Sequence, residues 1–202
     1  MSRNAITVSR RFQFDVPETV YDDLLQCYAH AVRGSGREME LTPDIEKVLR
    51  MVVCWMRSGK RGLLLCGSCG TGKTKIMQAL THLLTFYCQE RTRVPLYSAG
   101  EIVKLSLSKD EKEMMAFEML RAWPYLGIDD LGTEPVNVKN WGTDTNPIVD
   151  LLYKRYDKMR VTVLSTNLNV EKIGEVYGKR IFDRICESYD RISFSFQSFR
   201  QK

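Results

Sequence analysis

Histidine is nearly missing. The 202 residues hold two, His30 and His82, and neither belongs to a ligand-spaced cluster, so both read as structural rather than catalytic or metal-binding. Long apolar runs are missing as well: nothing approaches the roughly 20 residues that a membrane helix needs. The first residues, Met1–Ile6, lack the apolar stretch and cleavage site of a secretion signal. Proline and glycine are modest, 6 and 13 residues with no G-X-Y period, which excludes collagenous and low-complexity classes. The cysteines (Cys27, Cys54, Cys66, Cys69, Cys88, Cys186) form no framework of spaced pairs. They read as reduced thiols, and the expected location is the cytoplasm.

What is present is ordinary for a folded domain: 44% hydrophobic and 27% charged residues, enough for one good core. The net charge of +5 is compatible with binding phosphates or nucleic acid without identifying either. Residues 139–202 carry 12 basic and 8 acidic side chains, so the positive bias lies in the last third.

No internal repeat is visible. Residues 1–40 read as an arm plus one helix, with Val20, Leu24, Leu25, Tyr28 and Val32 at helical spacing. Arg33-Gly34-Ser35-Gly36-Arg37 is the linker candidate. From residue 41 helices and strands alternate. Thr42 and Pro43 predict a helix start, and Ser58-Gly59 a stop. Strands are expected over 62–66, 94–98, 125–129, 161–165 and 191–196, and helices over 73–88, within 100–122 (two), over 146–159 and around 179–187. Strands apolar throughout and separated by helices imply a parallel sheet covered on both faces. The expected fold is a three-layer α/β domain over 41–202 with five parallel strands, the half-polar last one at or near an edge.

Gly67-Ser68-Cys69-Gly70-Thr71-Gly72-Lys73-Thr74 fits G-x-x-x-x-G-K-[ST] in full and lies between a predicted strand and a predicted helix. Glycines let consecutive N–H groups point into one concavity, and the helix N-terminus adds partial positive charge there. Lys73 is placed to reach the β- and γ-phosphates of a nucleotide, and the Thr74 hydroxyl to ligate Mg²⁺. Cys66 and Cys69 form a C-x-x-C, but with no second ligand pair a zinc or redox site is the weaker reading.

Tyr125–Asp130 is a strand ending in two acids. Asp129 fits a Walker B residue holding Mg²⁺, and Asp130 fits a general base for the attacking water. The strand 161–165 runs into Thr166-Asn167. If it lies between the other two site strands, Asn167 falls beside the nucleotide. Arg180 and Arg184 share one face of a helix, where an arginine supplied by a neighbouring subunit stabilises transition-state charge.

From about residue 41 to 200 the sequence resembles the AAA+ ATPases of the DnaC/DnaI helicase-loader and IstB transposition-helper group. The resemblance rests on GSCGTGKT (67–74), YLGIDDLGTEP (125–135), LSTNLNVEKIGEVYGKRIFDRI (164–185) and SFR (198–200). It implies a P-loop ATPase fold without a helical lid, with ATP and Mg²⁺ as cofactors. It also implies a trans-acting finger at Arg184, an accompanying basic position at Arg180 and a sensor-2 arginine at Arg200. Expected partners are further copies in a ring or spiral, DNA (single-stranded for a loader, duplex for a transposition helper), and a replicative helicase or a transposase. Two features depart from the pattern. Asp130 stands where many AAA+ proteins have Glu, which points toward slow hydrolysis or a nucleotide-gated module with negligible turnover. Residues 1–40 are short beside the domains that precede the ATPase core in these relatives.

The remaining candidates are softer. Lys104, Lys109 and Lys112 are available for phosphate contacts, and Lys139 with Trp141 offers a cation beside a stacking ring. Lys154, Arg155, Lys158 and Arg160 read as a solvated helix face. Met114, Met115, Phe117 and Met119 read as core or subunit interface.

Overall fold

The structure, a computed structural model, describes residues 14–87, 94–140 and 143–195. Arg200, Trp141, Cys88 and most of the expected N-terminal arm lie outside them. Helices run over α1 (Val20–Arg33), α2 (Pro43–Ser58), α3 (Lys73–Tyr87), α4 (Ala99–Leu107), α5 (Glu111–Ala122), α6 (Pro147–Asp157), α7 (Val170–Tyr177) and α8 (Lys179–Ser188). Strands are β1 (Gly62–Gly67), β2 (Leu96–Ser98), β3 (Tyr125–Leu131), β4 (Val138–Asn140), β5 (Thr143–Thr145), β6 (Val161–Thr166) and β7 (Tyr189–Phe194).

Local chemistry fixes the element ends. Thr42 caps α2 through Ile45 N–H at 3.3 Å, with Pro43 in the first turn, and Gly59 ends the helix at φ +83°. Ser98 and Glu101 form a reciprocal capping box that starts α4. Asn146 and Asn169 cap α6 and α7.

The five main strands pair in parallel in the order β2-β3-β6-β1-β7. The strand ending in Thr166 thus lies between the strands ending in Gly67 and in the two acids, and β7 is an edge, both as the sequence suggests. Side chains alternate across the sheet. Leu63, Leu65, Val161, Val163, Ile192 and Phe194 face α1, α2 and α3, whereas Leu64, Cys66, Leu126, Ile128 and Leu164 face α4 to α8. The result is two cores, one on each side of the sheet.

Three expectations need correction. The last strand begins two residues earlier than alternation suggested, because β7 takes its register from β1: Gly62 pairs with Tyr189 and Gly67 with Phe194. The stretch 136–147, expected as a loop, contains the antiparallel ribbon β4–β5. Arg155 is not on a solvated face. It is 1% exposed and ties α6 to α5 and β6, donating to Leu120 O (2.6 Å), Trp123 O (2.9 Å), Val161 O (2.6 Å) and Thr162 Oγ1 (2.9 Å). Of the methionine-rich group, Phe117 is buried, while Met114, Met115 and Met119 are exposed. His30 and His82 face each other from α1 and α3 with ring centroids 5.8 Å apart. None of the described helices is long and apolar enough to cross a membrane.

Candidate functional site

The loop between β1 and α3 is shaped by its own residues. Gly70 and Gly72 stand at φ +82° and +91°, conformations that a Cβ disfavours. Thr71 is buried and its hydroxyl donates to Ser68 O at 2.9 Å, drawing the loop into a tight turn. The first turn of α3 holds no acidic side chain, so nothing there neutralises the positive end of a 15-residue helix. Gly67, Ser68 and Cys69 lead into this turn, and Lys73 and Thr74 open the helix.

Lys73 is the centre of the site. It is 5% exposed, and its ammonium donates to Gly67 O (2.7 Å), Ser68 O (2.8 Å) and Asn167 Oδ1 (2.8 Å). None of these acceptors is a carboxylate. Burial pulls its pKa below the ordinary lysine value, and the charges of Asp130 and Asp129 act in the opposite direction. A buried ammonium whose hydrogen bonds all go to neutral oxygens can exchange them for those of an incoming polyanion.

The acids sit at the end of β3. Asp129 is 9% exposed and accepts a hydrogen bond from the Ser165 hydroxyl of β6. Ser165 Oγ in turn accepts Asp130 N–H at 3.0 Å. Pairing of β3 with β6 shifts register between Ile128 and Leu131, and Asp130 stands at φ +56°. This irregularity turns Asp130 out of the regular ladder.

Asn167 follows β6, anchored by its neighbour. Thr166 Oγ1 donates to Leu131 O at 2.6 Å and accepts Leu168 N–H at 3.0 Å. The structure thus brings Lys73, Asn167, Asp129 and Asp130 to the same ends of three adjacent strands, with Thr74 one residue along α3. Arg184 is engaged elsewhere. It lies on α8, paired with Asp157 at 3.3 Å and stacked over the Tyr156 ring at 3.9 Å. Arg180 is exposed on the same helix.

The donor set suits a magnesium nucleotide. Thr74 and Asp129 offer hard oxygens. Among the described residues no cluster of three His, Cys, Asp or Glu could hold a metal. Sequence reasoning missed Ser165, Glu134 and Tyr177. The signal for Ser165 was a polar pair, Ser165-Thr166, ending a mostly apolar strand; both are 0% exposed.

Residues 40–202 match the family described as IstB-like ATP binding protein. Among solved structures the chain is similar to the DnaC helicase loader (19% identity, 83% of this chain and 98% of that one, TM-score 0.62). It is similar also to DnaI (19%, 91% and 96%, 0.58) and to AMPPCP-bound DnaA from Aquifex aeolicus (16%, 79% and 49%, 0.57). At these identities the likeness is one of fold, the AAA+ P-loop architecture. No curated protein matches the chain.

Proposed function

This chain belongs to the family of IstB-like ATP binding proteins, and from that premise we propose that it is a switch ATPase acting in DNA replication as a helicase loader on single-stranded DNA. The observation that carries the proposal is the 2.8 Å contact between Lys73 and Asn167. It joins the phosphate loop to the tip of the strand beside the paired acids, gathering the groups that would bind and hydrolyse a nucleotide.

Each residue then has a task. Main-chain N–H groups of Gly67 to Thr74 and the Lys73 ammonium bind the phosphates. Thr74 and Asp129 hold Mg²⁺, which when bound supplies charge neutralisation. Asp130 accepts a proton from water as the water oxygen attacks the γ-phosphorus and the bond to the bridging oxygen of ADP breaks. Asn167 orients that water and senses the γ-phosphate. Arg200 serves as the sensor-2 contact.

Arg184 acts on the nucleotide of a neighbouring copy in a ring or spiral. Its pair with Asp157 is long and exposed (32% and 66%), the kind of ion pair worth little, so the stacking on Tyr156 is the main contact it would exchange for a phosphate. Lys104, Lys109 and Lys112 at α4–α5, with Lys139 on the ribbon, contact the DNA backbone. Helix α1, which precedes the family match, packs on the ATPase core, and a replicative helicase is the partner. A second reading, favoured by the family match, is a transposition helper that assembles on duplex DNA and recruits a transposase. Short Asp130 favours a third, a nucleotide-gated module with negligible turnover.

ATP turnover measured across protein concentration, with single-stranded or duplex DNA, tests all three. Turnover is expected to rise with concentration and with single-stranded DNA. Lys73→Ala abolishes nucleotide binding, and Arg184→Ala retains binding but loses turnover. Unchanged turnover in Arg184→Ala refutes the finger. Stimulation by duplex alone supports the transposition helper, and binding without turnover supports the gated module.

A further inference from the structure

The turn after the paired acids is tied to a helix that the catalytic reading does not use. Glu134 is 7% exposed and Tyr177, the last residue of α7, 5%. The Tyr177 hydroxyl donates to Glu134 Oε1, while Glu134 Oε2 accepts Gly132 N–H at 2.9 Å. One carboxylate therefore bridges the turn that follows Asp130 and the end of α7. The turn has little slack on its other side: at Gly132 (φ +99°) a Cβ would fall 2.6 Å from Leu168 Cδ1.

Tyr177 is followed by Gly178, at φ +88°, where α8 starts. The two helices pack closely, for a Cβ on Gly174 would lie 3.3 Å from Phe182 Cβ. A displacement of Tyr177 thus carries α8, and Arg184 on it, along. A path runs from Asp130 along the chain to Gly132, then through the hydrogen bonds of Glu134 to Tyr177 and so to α8. A second runs from Leu131 through Thr166 to Asn167 and Lys73. Both start in the same turn.

We propose that Glu134 and Tyr177 are positioning residues, a latch by which the state of the nucleotide at Asp130 sets where α8 presents Arg184 to a neighbouring copy. This rests on the ATPase reading of the phosphate loop and goes beyond it in naming the connection. A buried carboxylate shared by two donors suits the task, because shifting either donor leaves an oxygen unpaired, and the arrangement favours discrete positions over gradual drift.

Hydrogen exchange of the full chain, with and without Mg²⁺ and a non-hydrolysable ATP analogue, tests the latch without requiring turnover. In the wild type the analogue is expected to protect 67–74 and also to change exchange over 170–188. In Tyr177→Phe, which removes one hydroxyl, protection of 67–74 persists with Kd within about twofold. The response over 170–188 disappears, and turnover, where the wild type has it, falls at least about tenfold. Glu134→Ala, which removes both acceptors from the turn and from Tyr177, gives the same uncoupling. A merely structural bond would lower stability yet leave the nucleotide-dependent response intact. Wild-type response over 170–188 in both variants overturns the latch while leaving the ATP site standing, whereas absence of protection at 67–74 in the wild type overturns both.

Discussion

Asp130 shows what a single residue must reconcile. It stands in a left-handed conformation, φ +56°, which aspartate and asparagine tolerate better than larger side chains. Its carbonyl accepts both the N–H (3.2 Å) and the hydroxyl (2.8 Å) of Thr133. Asn at this position keeps the backbone preference and removes the charge. We expect Asp130→Asn to fold with near-native stability and bind an ATP analogue at least as tightly, since one carboxylate no longer opposes the triphosphate. Phosphate release should slow by about 10²–10⁴-fold, the usual worth of a general base. Wild-type release would exclude Asp130 as that base. The loop residues and paired acids were legible because their spacing is local: a complete G-x-x-x-x-G-K-T and a strand ending in Asp-Asp each carry their own geometry. Ser165, Glu134 and Tyr177 were not, because Ser165 meets Asp129 across 36 residues and Tyr177 meets Glu134 across 43. Only the sheet order brings such pairs together.

Among the elements, α6 departs most from its sequence pattern. Lys154, Arg155 and Lys158 suggest one wet face, yet Arg155 is buried and offers its planar fork to three carbonyls and a hydroxyl. Burial pushes its pKa down to about 10. Composition cannot separate an arginine that solvates a surface from one that closes off the carbonyls of neighbouring elements. Arg155→Met is expected to lower unfolding free energy by more than about 3 kcal/mol, since two buried carbonyls and a part-buried one lose their donors. Arg155→Lys should lose a comparable amount, one ammonium being unable to reproduce the fork. Urea midpoints measure both, and a loss under about 0.5 kcal/mol in Arg155→Lys would remove the fork from the argument. Helix α1 has its own tie to α3, a 2.5 Å bond from the Tyr87 hydroxyl to Asp23 Oδ2. Burial, then the Asp23 carboxylate, raises the Tyr87 pKa from 10.0 to about 12. A raised phenol contributes stability that is complete below pH 10 and lost as pH climbs toward 12, because the unfolded chain releases its proton first. Tyr87→Phe should therefore show a shallower loss of stability over that interval than the wild type in denaturant titrations at successive pH values.

For the whole molecule, the layered parallel sheet was legible because the strands buried on both faces, β1, β3 and β6, are dominated by Leu, Ile and Val, and helix starts and stops are marked by Thr42-Pro43 and Ser58-Gly59. What the pattern did not convey is how residues before the family match at 40–202 relate to the core. An amphipathic helix followed by a Gly-Ser linker reads the same whether it docks or swings free. In the structure Phe14, Val20, Leu24 and Tyr28 belong to the same apolar cluster as α2, α3, β1 and β6, and Val20 and Leu24 are 0% exposed. At about 1.5–3 kcal/mol for each large apolar side chain buried, four such residues contribute at least about 6 kcal/mol before the ordering of α1 is subtracted. That is comparable with the total stability of about 5–15 kcal/mol typical of a domain. A fragment of residues 41–202 would also uncover the side of α3 on which α1 rests, the helix that begins with Lys73. Such a fragment is expected to lose cooperative thermal unfolding, bind a hydrophobic dye and bind ATP analogues weakly, with partial recovery on adding a peptide of residues 14–36. A fragment that melts cooperatively at the temperature of the full chain would show that the ATPase core is complete from residue 41 and that α1 is free to serve a partner.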